Sequence, residues 1–212
     1  MYGAATANTA LFQSYFKNAK ISGAVGMLSF LGVFLFLPFI GKIVTRFGKK
    51  EAVTVGCCVN VVAYLLMLVL PITPDGKGLA LFVLCQLIAA VGGGVGGCVG
   101  YAMMADAIDY EEWKFGERNE GTTYALHSFF RKLAQGVFPS LGILLTTWLG
   151  YDAALGSSQP MDVALNMRYL VAAMYLIGAV LSLLSYGLIY NLDKKKLAQM
   201  TEDLEKRHAA SK

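Results

Sequence analysis

The sequence predicts an all-α membrane protein, a bundle of six helices. Three observations carry that expectation. Of 212 residues, 56% are hydrophobic and only 15% charged, with a mean hydropathy of +0.55; a soluble domain is about 25% charged. The charges fall in short clusters between long stretches that carry almost none. Those stretches have the length that crosses a bilayer, about 20 residues for a hydrocarbon core of ~30 Å.

Tyr2 to Phe16 comes first, a short apolar-to-polar stretch interrupted by Asn8, Gln13 and Ser14, and it reads as a helix whose beginning is cut off. Five complete spans follow, at residues 21–43, 52–72, 79–105, 122–150 and 167–192. The bundle thus covers residues 1–192, and 193–212 form a basic tail. No secretory leader is legible near Met1. Pro71 to Gly76 and Tyr151 to Asp162 are Pro/Gly-containing connectors. Leu197, Met200 and Leu204 recur at helical spacing in the tail, so it reads either as a helix on anionic headgroups or as a solubilising extension.

Lys and Arg are retained on the cytoplasmic side during insertion. One side of this layout collects fourteen of them, among them Lys42, Arg46, Lys49, Lys50, Lys114, Arg118, Arg131, Lys132 and Lys212; the other has Lys17, Lys20, Lys77 and Arg168. Both termini are therefore expected in the cytoplasm, in a bacterial-type inner membrane. The net charge of +4 forms no basic stripe with interleaved aromatics, which argues against nucleic acid as a partner. Cys57, Cys58, Cys85 and Cys98 all lie in apolar runs without C-x-x-C spacing and read as free thiols.

Span 122–150 carries the densest chemistry. At 100° per residue, Tyr124, His127, Ser128, Arg131, Lys132 and Gln135 share an arc of about 140°, opposite Leu126, Phe130, Leu133 and Val137. Lys132 lies about 15 Å along the axis from Thr122, near mid-membrane. A cation there is costly, roughly 2.5–3.5 kcal/mol, unless it meets water or a partner. Arg131 reads equally as a pathway residue or as a side chain that snorkels to the headgroups. A lone His127 reads as a polar wall residue, since no second metal ligand is near it in sequence. The run Gly92 to Gly97, followed by Gly100, permits close helix packing and lacks the Lys-Ser/Thr of a phosphate loop. No acidic residue falls in mid-span.

Two charged connectors separate the spans. Gly41 to Lys50 reads as a tight basic turn, and Asp106 to Gly121 as a loop with six acids and two bases. Asp106, Asp109, Glu112, Arg118 and Arg46 are the candidates for an ion-pair latch at the cytoplasmic mouth; a solvated loop is the alternative.

The residues Asp106 to Lys114, then Gly116, Arg118, Glu120, Gly121, Tyr124 and Ser128 to Leu133, closely resemble the glycoside-pentoside-hexuronide:cation symporter family (melibiose permease-like) of the major facilitator superfamily. The resemblance implies the C-terminal six-helix half of a twelve-helix carrier. It implies secondary active symport of a glycoside, pentoside or hexuronide with Na⁺ or H⁺, no enzymatic activity and no cofactor. The cation site is then expected in a missing N-terminal bundle, the sugar between the two bundles, and Lys132, His127 and Ser128 near it. Alternating access comes with the superfamily. Arg131 beside Lys132 raises the expectation of an acidic sugar. The competing class is a non-transporting scaffold or sensor, or an inactive half-carrier.

Overall fold

The computed structural model describes residues 2–210, so Met1 and the last two positions of the tail expected at 193–212 lie outside the described residues. The order is α1 (Tyr2–Ser14), α2 (Ala19–Phe36), α3 (Ile40–Phe47), α4 (Lys49–Val69), α5 (Gly76–Phe115) and α6 (Glu120–Trp148). A 3₁₀ segment, Ala153–Ser158, leads to α7 (Met161–Leu184), which runs into a π turn at Ser185–Ile189 before α8 (Lys194–Ala210). No strand occurs among the described residues. The helix α4, the helix α5 and the continuous stretch Met161–Ile189 are long and apolar enough to cross a membrane.

Several element ends depart from the expected ones, each for a local reason. The span expected at 21–43 ends at Phe36, because Pro38 lacks an N–H and disfavours helix at the residue before it. The basic connector Gly41 to Lys50 is mostly helix α3, and only Gly48, at φ +100°, makes the turn. The span expected at 79–105 continues to Phe115, so the charged run taken as a loop is two further helical turns and more. Charge ends a hydrophobic span but not a helix; α5 stops where Gly116 adopts φ +77° and its N–H returns to the Glu112 carbonyl. At its start the Asp75 carboxylate accepts from the Gly78 N–H at 2.9 Å, three residues before the expected first turn. The last span begins at Met161, immediately after Pro160, instead of at 167.

The core lies between α1, α2, α4, α5 and α7, around Leu11, Phe12, Met67, Phe82, Met167 and Val171. A second cluster joins α4 to α5 through Val53, Cys57, Val95, Val99 and Met103. There the glycines have a specific use: a Cβ on Gly56 would stand 2.5 Å from the Gly92 carbonyl oxygen, so the two backbones touch. None of the four cysteines forms a disulfide among the described residues.

Arg168 was counted above as a topology charge, yet only 5% of its surface is exposed. From α7 it donates to the Leu70 carbonyl and lies 3.5 Å from those of Met67 and Leu68, capping the C-terminus of α4. The tail turns its apolar side to protein: Met200 and Leu204 are buried, and α8 packs along the C-terminal end of α5.

Candidate functional site

Helix α6 packs on α1 and leaves most of its length open. Only Gly142 and Thr146 are buried on it, where Gly142 meets Gly3; a Cβ there would lie 2.5 Å from the Gly3 carbonyl oxygen. The polar arc of α6 consequently faces two different surroundings. His127, Arg131 and Gln135 turn toward α5 and α1. Arg131 donates to the Tyr101 hydroxyl at 2.6 Å, the His127 ring meets the Tyr101 ring edge-on at 6.1 Å, and Gln135 donates to the Tyr2 hydroxyl at 3.2 Å. His127, Arg131, Tyr2 and Tyr101, together with Gly97, Tyr186 and Tyr190, wall a cavity of about 530 Å³, which Gln135 does not line.

Lys132 lies at the other edge of the arc. It borders an open groove with Leu133, Gly136, Val137 and Ser140, and no hydrogen bond or ion pair reaches its ammonium among the described residues. Tyr124 and Ser128 are exposed between the two edges. The structure thus brings His127 and Arg131 into one cavity and leaves Lys132, Tyr124 and Ser128 facing outward from the helix.

The charged run at the C-terminal end of α5 also divides. Arg118 donates to Asp109 at 2.8 Å, to Glu112 at 2.7 Å and to Glu120 at 2.6 Å, and His208 of α8 meets the second Glu112 oxygen at 2.6 Å. The Arg118 guanidinium and then His208 hold the Glu112 carboxyl below the usual glutamate range, and the three carboxylates raise Arg118 above its ordinary value. Asp106 is not part of that cluster. It is buried and pairs with Lys49 of α4 at 2.6 Å. Arg46 stands apart as well, over the Phe47 ring at 5.4 Å. Trp113 and Asp203, which no sequence spacing singles out, tie α8 to this end of α5: the indole donates to Asp203 at 2.9 Å, and Arg207 donates to the Trp113 carbonyl at 2.9 Å.

Tyr2 and Tyr101 are the site residues that sequence reasoning missed. They lie 99 residues apart on separate helices, and the one available signal was the position of Tyr101 four residues after Gly97 on the glycine face of α5. No cluster of three or more His, Cys, Asp or Glu side chains able to hold a metal ion occurs among the described residues.

Long apolar helices around a polar cavity, with ion pairs gathered at one end, define a polytopic integral membrane protein. The comparisons specify the family. Residues 1–194 match the model of the family described as MFS/sugar transport protein, and the chain belongs to that family. It is 34% identical over 179 residues to the uncharacterized symporter YjmB of Bacillus subtilis (strain 168), covering 84% of this chain and 37% of that protein. It is 33% identical to a putative 2,3-dihydroxypropane-1-sulfonate exporter of Salmonella typhimurium, covering 84% of this chain and 36% of the relative. To the glucuronide carrier protein homolog of Escherichia coli (strain K12) it is 30% identical, with 80% and 36% covered. The chain spans a little over a third of the length of these curated relatives. Their family consists of transporters, which are not enzymes and need no cofactor.

Proposed function

We propose that the chain is the C-terminal bundle of a secondary carrier that moves an acidic sugar or polyol together with Na⁺ or H⁺ by alternating access. Arg131 carries the reading. Its exposed guanidinium is held toward a cavity by Tyr101, and a guanidinium is the side chain best suited to bind a carboxylate or sulfonate. Two of the relatives are named for anionic solutes, a sulfonate and a glucuronide, and that agrees with a cation at the site. Lys132, with Tyr124 and Ser128, faces the side of α6 left open here; in this reading that side meets the N-terminal bundle and lines the pathway with His127 and Gln135. Arg118 with Asp109 and Glu112, flanked by the Lys49–Asp106 pair, forms the cytoplasmic latch, and Arg46 contributes a topology charge. The charge asymmetry of the connectors supports cytoplasmic termini in an inner membrane.

Counterflow in proteoliposomes carrying the complete carrier tests this, using labelled glucuronide and neutral glycosides with and without a Na⁺ or H⁺ gradient. Accumulation of the acid with the gradient is expected, and Arg131→Leu is expected to lose the acid by tenfold or more in KM. Equal handling of acidic and neutral solutes by parent and variant would sink the reading.

A further inference from the structure

A second cavity of about 580 Å³ lies inside the bundle, between α1, α2, α4, α5 and α7. Its size falls in the range of small-molecule sites, about 300–1,000 Å³. Among the described residues the wall carries no charged side chain; its polar groups are carboxamides, hydroxyls and phenols, among them Asn8, Asn60, Gln86, Tyr64 and Tyr175. Asn8, Asn60 and Gln86 are 7%, 4% and 7% exposed. The carboxamide oxygens of Asn8 and Asn60 accept no hydrogen bond. A buried polar group without a partner is destabilising, and such groups are rare enough that each calls for a cause.

We infer that this cavity is a subsite for the hydroxyl-bearing part of the solute, with the carboxamides of Asn8 and Asn60 as its hydrogen-bonding partners. A carboxamide presents oxygen on one edge and nitrogen on the other, and a half-turn exchanges them without changing its shape. The Asn60 oxygen packs on the α5 backbone, 2.7 Å from where a Gly92 Cβ would stand, while its nitrogen lies on the side of Gly93, which lines the cavity. In either orientation the amide offers a hydroxyl a partner: the nitrogen donates as it stands, and the oxygen accepts after the half-turn. An anion is disfavoured here, because no cation among the described residues lines the wall to compensate it. The cavity adjoins the Arg131 site, since Tyr2 lines both. A solute with an acidic end and a hydroxylated end therefore spans the two. This assignment of ends rests on the reading of Arg131 as the anion partner; the hydroxyl subsite itself does not.

Competition binding on the complete carrier in nanodiscs separates the two sites. The tracer is labelled methyl glucuronide, and the competitors are methyl glucoside, with hydroxyls and no charge, and methanesulfonate, with charge and no hydroxyls. Asn8→Leu and Asn60→Leu are expected to weaken the glucoside about tenfold each and to change methanesulfonate less than twofold. Arg131→Leu is expected to do the reverse. Asn60→Ser, which removes the carboxamide with less steric demand, should act in the direction of Asn60→Leu. Glucoside binding within twofold of the parent in well-inserted Asn variants overturns the subsite, as does equal loss of both competitors or a parent protein that binds no glucoside. Failure of the transport reading shows separately, as a parent protein that binds both competitors yet takes up no solute in proteoliposomes.

Discussion

Replacing Arg168 by Met isolates the contribution of one buried guanidinium to the bundle. The side chain bridges α7 to the last turn of α4, where the Leu70 carbonyl accepts from it and those of Met67 and Leu68 lie at 3.5 Å. One strong charged hydrogen bond contributes about 1.5–3 kcal/mol. A cation at a partly buried helix C-terminus adds up to ~2 kcal/mol. The two contacts at 3.5 Å add little, and the Arg168 Nε has no partner, so the low half of the combined range applies, about 3 kcal/mol. That corresponds to a factor of roughly 150 in the unfolding equilibrium at 1.4 kcal/mol per decade, and to a melting temperature lower by about 6–12 °C for a protein of this size. Methionine preserves most of the volume, so lost packing contributes little. Thermal unfolding in detergent, followed by accessibility of the buried Cys57 and Cys85 thiols, reads the difference; Arg168→Lys should fall between the two. A Met variant that melts within 2 °C of the parent would show that the α4 carbonyls do not depend on this cap.

Three further outcomes are expected. Gly142→Leu drives a side chain into the Gly3 backbone and should part α6 from α1, so a disulfide engineered between positions 2 and 135 forms in the parent background and fails to form in the variant. Lys49→Met and Asp106→Ala, combined in a double-mutant cycle, should show a coupling of about 1.5–3 kcal/mol, because the pair is largely buried and joins two helices; a coupling near zero contradicts its structural role. Glu112 has its carboxyl depressed in the folded state, so its contribution is complete above the ordinary glutamate value of about 4.3 and is lost as pH falls through the depressed one. The emission of Trp113, read in a Trp148→Phe background, should therefore report α8 docked at pH 5 and released only below about 4.3; release above pH 5 contradicts the assignment.

The sequence alone settles that the chain crosses a membrane as helices, because bilayer thickness and backbone hydrogen bonding leave few other solutions for uncharged runs of this length. It also locates the polar face of α6, since helical period is a local property. The ends of the helices were less legible: Gly116 and Pro38, and not the change from apolar to charged residues, terminate α5 and α2. Pairing was not legible at all. Asp106 and Arg118 are twelve residues apart yet belong to different clusters, because the close contact of Gly56 with Gly92 sets α4 beside α5 and carries Lys49 to Asp106. The same holds for Arg131 and Lys132, neighbours in sequence that meet different surroundings once α6 rests on α1: Arg131 reaches Tyr101 of α5, and Lys132 borders an open groove. Periodicity fixes which residues share a face; only the packing of one helix on another decides what that face meets.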